Sequence, residues 1–147
     1  MRNIAIALII RDGYILVGES FDDVKNEIFY RPLGGGIETG EDREDGLHRE
    51  LKEELGAELM NVSLCTTFEN IFTYRGKPGH ELVHLYSADL KDERLYQRDL
   101  RVLVNDTTPQ DPETACWMPI QYFQDAKAPL YPERLLEYIE SLAPKSL

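Results

Sequence analysis

Three acidic residues with helical spacing, Glu50, Glu53 and Glu54, are the densest group of potential catalytic side chains in the sequence. At about 100° per residue they occupy neighbouring positions on one face of a helix. Like charges at this spacing repel, and Glu53 and Glu54 would also lie at the negative end of the helix dipole. A divalent cation would reverse this cost, because hard cations prefer several carboxylate oxygens. The alternative is a solvated acidic surface that binds nothing.

The surrounding residues predict the helix that would position these acids. Asp42 is suited to cap its start, and Gly56 can supply the left-handed residue that ends it. Leu47, Leu51 and Leu55 recur every four residues and form an apolar stripe that would pack on a core. We therefore expect the acids to lie beside a buried helix face.

A glycine-rich loop, Gly34–Gly36, comes shortly before this helix. Glycines let a backbone approach a ligand or metal closely and direct amides or carbonyls toward it. A loop of this kind and an acidic cluster within one short unit favour a binding site over a solvated surface.

The loop and the helix together resemble the signature of the Nudix hydrolase family, which reads G, five residues, E, seven residues, R-E-U-x-E-E-x-G-U, where U is a bulky aliphatic residue. The sequence fills the fixed positions at the right spacing with Gly35, Glu41, Arg49, Glu50, Leu51, Glu53, Glu54 and Gly56. The last U position is Ala57, a smaller residue than the pattern specifies. A signature with this many fixed positions is a specific one.

The resemblance implies a fold and a metal site. The fold would be α/β, an α/β/α sandwich with a mixed β-sheet and a catalytic loop–helix–loop. Mg²⁺, or Mn²⁺ in its place, would be held by Glu50, Glu53 and Glu54, with the carbonyl of Gly34 as an added ligand.

The resemblance also suggests catalytic and substrate-binding roles. Arg49 would orient Glu53 through a salt bridge one helical turn away, and the general base would be Glu53, Glu54 or Glu113, with Asp111 as a substitute for the last. The expected substrate contacts are Arg31, Gly35, Gly36 and Glu41. Two of these have alternatives: Arg31 could pair with a surface acid instead of a phosphate, and Glu41 could join the loop to the helix or contact a metal.

The order of predicted elements is strands, a helix, more strands and a final helix. We expect residues 4–10 to form a strand buried on both faces, paired as a hairpin with residues 14–18. Residues 19–27 are predicted to be a polar loop, residues 58–74 and 80–90 a second hairpin, residues 91–111 a loop plus an edge strand, and residues 133–142 a terminal helix. Trp117 lies on a further strand, as core or as pocket wall.

Composition excludes several classes of protein. A chain of 147 residues with 42% hydrophobic content is expected to form a single domain, residues 1–147. Its net charge of −11 argues against nucleic acid and anionic membranes as partners. Cys65 and Cys116 form neither a disulfide framework nor a zinc pattern, and the apolar residues 4–10 are too few for a signal or a membrane span. We therefore predict a cytoplasmic protein.

The predicted reaction is hydrolysis of a phosphoanhydride in a nucleoside diphosphate linked to another group. Thr73 and Arg75 stand where two Nudix subfamilies carry a marker proline or tyrosine, so neither marker is present. Nucleotide sugars and nucleoside triphosphates both remain open as substrates, and so does homodimerisation. The alternative function is a catalytically silent nucleotide sensor that regulates a partner.

Overall fold

The computed structural model describes residues 1–105 and 107–142 of the chain. Its elements, in chain order, are β1 (Arg2–Leu8), β2 (Ile10–Arg11), β3 (Tyr14–Asp22), β4 (Glu27–Arg31), β5 (Gly34–Gly36), α1 (Arg43–Leu55), β6 (Leu59–Tyr74), β7 (Lys77–Leu90), a 3₁₀ helix (Glu93–Tyr96), β8 (Arg101–Leu103), β9 (Thr114–Pro119), α2 (Ile120–Gln124) and α3 (Arg134–Glu140).

The strands of this described part form two sheets. The first has four strands in the order β5-β1-β7-β6, with β1 parallel to β7 and antiparallel to β5, so it is mixed. The second has five strands, all of its pairs being antiparallel: β2-β3-β9-β8, with β4 also paired to β3.

Helices cover the core from both sides. Strand β1 is buried on both faces: Ala5 and Ala7 belong to a cluster that includes buried residues of α1, whereas Ile4, Ile6 and Leu8 belong to a cluster that includes residues of α2 and α3. The predicted α/β/α sandwich with a mixed sheet is therefore confirmed, and so is the prediction that this first strand is buried on both faces.

The predicted first hairpin is wrong in its pairing. The apolar residues 4–10 do not form one strand: β1 ends at Leu8, and β2 begins at Ile10 in the other sheet. The hairpin partner of β3 is the short β2, whereas β1 pairs with β5 and β7. A uniformly apolar run gives no sign of this break, because the residues on both sides of it are apolar.

The predicted polar loop over residues 19–27 is also wrong. Strand β3 continues to Asp22, and its second half pairs with β4, with Ser20 opposite Phe29 and Phe21 opposite Ile28. Ser20 and Asp22 are tolerated on this strand because they line a cleft, described below. The turn between the two strands is correspondingly shorter than predicted.

The later elements agree more closely with the predictions. The second hairpin is formed by β6 and β7, with a turn at Arg75 and Gly76, and β8 is an edge strand that pairs with β9. Trp117 is buried on β9 and donates from Nε1 to the carbonyl of Leu95 at 2.9 Å, so it belongs to the core. In residues 1–105 and 107–142, no helix is long and apolar enough to cross a membrane.

Candidate active site

Helix α1 is held at both ends by local hydrogen bonds. The Asp42 carboxylate accepts from the backbone N–H groups of Glu44 at 2.9 Å and Asp45 at 3.4 Å. Gly56, with φ of 67°, ends the helix and donates its N–H to the Lys52 carbonyl at 2.9 Å. These contacts satisfy backbone groups that the helix itself cannot pair. The predicted helix and both of its caps are confirmed.

Strand β5 passes close to both α1 and β1, which leaves little room for side chains at its glycines. A Cβ atom on Gly35 would lie 2.7 Å from Cδ of Glu50, and one on Gly34 would overlap the backbone of Ala5 in β1. The N–H of Gly34 donates to Oε1 of Glu54 at 3.0 Å. The glycines thus allow two acids of α1 to contact the backbone of the loop.

Arg49 joins the loop to the helix through several hydrogen bonds. Its Nε and Nη2 donate to the Glu41 carboxylate at 2.8 and 3.0 Å, and Nη2 also donates to the Gly36 carbonyl at 2.9 Å. Its Nη1 donates to Glu50 and to Glu53, both at 3.2 Å. The guanidinium therefore orients two acids of α1 while it fixes the loop.

The contact between Arg49 and Glu41 also affects their ionisation. The hydrogen bond from Arg49 holds the pKa of Glu41 below its ordinary value, and the same bond raises the pKa of Arg49. Glu41 also accepts from the N–H of Glu38 at 3.0 Å. Of the two predicted alternatives for Glu41, these contacts correspond to the one in which it joins the loop to the helix.

Glu54 and Glu113 are two buried acids, and the charge of Glu113 acts on Glu54. Each exposes 8% of its surface. Burial raises the pKa of Glu54 to about 8, with further contributions from the charges of Glu113 and Glu50, against the opposing effect of the Gly34 N–H and Arg31. Burial likewise raises the pKa of Glu113, and Arg31 opposes the increase. Arg31 lies 3.8 Å from Glu113, too far for a hydrogen bond.

The charges of this group are incompletely compensated: Arg49 bonds Glu50, but the pKa of Glu54 stays raised despite Arg31. A divalent cation stabilises such an environment. Carboxylates and backbone carbonyls are the ligands that Mg²⁺ and Mn²⁺ prefer, so the donor set fits such an ion. Within the described ranges, however, no three His, Cys, Asp or Glu side chains are already arranged as a metal cluster. Binding would therefore require carboxylate rotation, with water or phosphate oxygens completing the coordination.

Most of the predicted site residues line one cleft of about 570 Å³. They are Arg31, Gly34, Gly35, Gly36, Glu50, Glu54 and Glu113. Glu41, Arg49 and Glu53 do not line it. Glu53 instead has a largely exposed side chain that contacts Arg49. We call the region around Glu50, Glu54 and Glu113 the carboxylate end of the cleft.

The opposite region of the cleft was missed by the sequence analysis. It is lined by four aromatic residues, Phe29, Phe72, Tyr74 and Tyr131, which define what we call the aromatic end, together with Asp22. These residues come from three strands and a loop, and no motif links them. Only Asp22 had a signal in the sequence: recognising that β3 continues to residue 22 would have placed it on a strand.

Arg2 is a further lining residue without a signal in the sequence. Its guanidinium lies beside Gly36, where a Cβ atom would approach Nη2 to 2.7 Å, and it pairs with Glu81 at 3.8 Å. A further cation therefore lies near the glycine strand, in addition to Arg31 and Arg49. Asp111 also lines the cleft, where it accepts from Tyr74 at 3.1 Å and from Arg75 at 3.3 Å.

Comparison with known proteins agrees with the fold and the loop–helix–loop. The family model for the NUDIX domain matches residues 1–139, so the chain belongs to the Nudix family. It is similar to the nucleoside triphosphatase NudI of Salmonella agona (strain SL483), with 40% identity over 92 residues, which are 58% of this chain and 64% of that protein. The match thus spans less than two thirds of that relative.

Solved structures show the same architecture. A NUDIX hydrolase from Nitrosomonas europaea superposes with a TM-score of 0.68 at 19% identity, over 95% of this chain and 86% of that one. A MutT NUDIX hydrolase from Burkholderia pseudomallei gives 0.59 at 24% identity, over 82% and 84%. At these identities the likeness shows the fold.

Proposed function

We propose that this protein is a magnesium-dependent nucleotide pyrophosphohydrolase. The observation that carries the proposal is the meeting of Glu50, Glu54 and Glu113 at the glycine-lined end of a cleft, where burial and the charges of Glu113 and Glu50 raise the pKa of Glu54. Members of the Nudix family generally use divalent metal ions. We assign Glu50, Glu53, Glu54 and the Gly34 carbonyl to the cation, with Mn²⁺ as a substitute.

In this proposal water attacks a phosphorus atom of the substrate, a new P–O bond forms, and the bridging P–O bond breaks. The bound cation would neutralise phosphate oxygens and make the attacking water more acidic. The proton of the water passes to a carboxylate, for which Glu53, Glu54 and Glu113 are the candidates. We favour Glu54 or Glu113, because both are buried and have raised pKa values, which suits proton acceptance near neutral pH. Arg49 would act by positioning Glu50 and Glu53.

The substrate we propose is a nucleoside triphosphate, which would give a nucleoside monophosphate and pyrophosphate. Support comes from the similarity to NudI, which is described as a nucleoside triphosphatase. Arg31 and the backbone at Gly35 and Gly36 line the cleft where the phosphates would lie, and so does Arg2. Nucleotide sugars are the second candidate class. We also propose a single cytoplasmic domain that acts on free nucleotides, without nucleic acid or membrane as a partner.

The test is turnover of a nucleotide panel by the purified chain, with Mg²⁺ and with excess chelator. We expect pyrophosphate release that depends on the cation. Glu54→Gln should lower kcat by about a hundredfold or more, because it removes both a cation ligand and a candidate base. The matched control is Glu44→Gln, which makes the same change on an exposed acid of the same helix that pairs with His48.

A silent nucleotide sensor is the alternative, and the same panel separates it from an enzyme. Nucleotide binding without turnover of any compound would favour the sensor. Cation-dependent turnover that Glu50→Gln and Glu54→Gln both leave intact would contradict our assignment of the site while leaving the family unaffected.

A further inference from the structure

Aromatic side chains from two strands and a loop line the aromatic end of the cleft. The ring of Phe29 lies between two others, with centroid distances of 5.7 Å to Tyr74 and 5.6 Å to Tyr131. Phe72 lies across the opposite strand at Gly79, where a Cβ atom would overlap its ring. Glycine at this position therefore lets the Phe72 ring lie flat on the strand and form part of the cleft wall.

Asp22 is a buried carboxylate on the wall of the same cleft. It exposes 2% of its surface. Its Oδ1 accepts from the N–H groups of Val24 at 2.9 Å and Lys25 at 3.1 Å, and these bonds fix the side chain. Among the described residues, Oδ2 has no hydrogen-bond partner. Oδ2 is not an enclosed atom, so this fixed acceptor on the cleft wall is accessible to a ligand or water.

The pKa values of two tyrosines indicate that Asp22 lies near the aromatic end. Burial raises the pKa of Tyr74 and of Tyr131 to about 12, their hydrogen bonds to Asp111 and Glu27 add to the increase, and the charge of Asp22 contributes to both. The carboxylate is thus within electrostatic reach of two of the four rings.

The two ends of the cleft are connected along a single strand. Gly18 of β3 lies against the carboxylate of Glu113, since a Cβ atom there would overlap it. Asp22 is four residues further along β3, about 13 Å away at the rise of a strand, and faces the same side. This separation is comparable with that between the base and the outer phosphates of an extended nucleotide.

We propose that the aromatic end is a nucleobase subsite, in which Oδ2 of Asp22 accepts a hydrogen bond from an N–H group of the base. The proposal rests on the proposed function and adds how the substrate is recognised. Aromatic walls favour a flat π-system, and base stacking on such side chains is sequence-tolerant by itself. The carboxylate accepts hydrogen bonds and donates none when ionised, so it selects an N–H donor. Asp111 is paired with Arg75 and Lys25 also lines the cleft, so the preference of this end for a base rests on the rings and on Asp22.

Asp22→Asn tests the assignment because it preserves shape and keeps an acceptor for the turn at Val24 and Lys25, while it replaces the free acceptor by a donor. Calorimetry would use two probes in the presence of Mg²⁺: inorganic tripolyphosphate, and a nucleoside triphosphate with a methylene group between the α- and β-phosphorus. We expect the nucleotide affinity to fall by about tenfold to a hundredfold, because a buried hydrogen bond is lost. The affinity for tripolyphosphate should be unchanged.

The control variant is Asp125→Asn, the same chemical change on an exposed side chain outside the cleft, which should alter neither affinity. A second comparison uses each nucleoside triphosphate and its counterpart methylated at the N–H group. Methylation should weaken binding to the wild-type protein about as much as the Asp22→Asn substitution does, and should have little further effect in the variant.

The outcomes separate this inference from the proposed function. Wild-type turnover with an Asp22→Asn variant that keeps its nucleotide affinity would overturn the nucleobase subsite alone. Equal losses for tripolyphosphate and nucleotide would also overturn it, because they would indicate a general structural effect. Absence of turnover on every nucleotide would instead contradict the proposed function.

Discussion

Arg49 shows how one side chain can position a site without lining it. Its guanidinium makes hydrogen bonds to the loop through Glu41 and Gly36, and to the helix through Glu50 and Glu53. This set of bonds depends on the planar, forked shape of arginine, which lysine does not have. The arrangement therefore couples the orientation of two acids to the position of the glycine strand.

We predict that Arg49→Lys lowers both activity and thermal stability. The positive charge remains, but a single ammonium cannot reach all four partners, so we expect kcat to fall by about tenfold or more and Tm by a few degrees. Steady-state kinetics and thermal unfolding followed by circular dichroism would measure both effects.

The control for this prediction is Lys52→Ala, which removes an exposed cation of the same helix that lies 3.7 Å from Glu58. A surface pair of this kind contributes little to stability. If Arg49→Lys changed kcat and Tm as little as Lys52→Ala does, the proposal that the Arg49 guanidinium positions the acids would be contradicted.

At the scale of elements, the cleft depends on how closely strand β3 approaches the residue before β9. Gly18 is opposite Ala115 in the ladder between these strands, and Glu113 folds over it. The φ angle of Gly18 is one that other residues also adopt. What restricts residue 18 is the lack of space for a side chain beside Glu113.

We predict that Gly18→Ala displaces the Glu113 carboxylate and lowers kcat, with the fold retained. The methyl group would overlap the position of the carboxylate, so the side chain has to rotate away. Kinetics of Gly18→Ala, Glu113→Gln and the double variant would test this. The double variant should be no slower than the slower single variant, because both changes remove the same group. Additive losses would show that the glycine acts in another way.

How far the sequence predicts an element depends on how local its determinants are. Helix α1 was predicted with its caps because Asp42, Gly56 and the leucine stripe act within a few residues of one another. The break at Ile9 and the length of β3 were not, because strand pairing is decided by distant partners. For the same reason the signature acids were found, whereas Arg2, Asp22 and the four aromatic residues were missed.

For the whole molecule, the buried acids connect stability to pH. The pKa of Glu54 in the folded protein is about 8, against an ordinary value of 4.5 that applies when unfolded. Between these values the folded state keeps a proton that the unfolded state has lost, so stability falls as pH rises through this window. Burial lowers the pKa of His84, which has the opposite effect around its ordinary value of 6.5.

We predict that the chelator-treated wild-type protein loses more stability than Glu54→Gln between pH 5 and about 8, because only the wild type carries the acid responsible. Comparing the two proteins cancels the contribution of His84. Tm measured across this range gives the difference, and Mg²⁺ added at pH 8 should raise Tm of the wild type more than that of the variant. Parallel Tm curves for the two proteins would contradict the raised pKa.

The short crossings between the sheets determine where the cleft can widen. The chain passes from one sheet to the other at Ile9 and again at residues 32–33, directly beside the glycine strand. The two sheets are therefore linked covalently at the carboxylate end of the cleft, which restricts their separation there. At the opposite margin the hairpin of β6 and β7 is fastened by side-chain contacts, with Arg75 reaching Asp23 at 3.2 Å and the Phe21 carbonyl at 3.3 Å. Small separations of the two sheets would thus open the cleft at its aromatic end. The acids at the carboxylate end would keep their distances from one another.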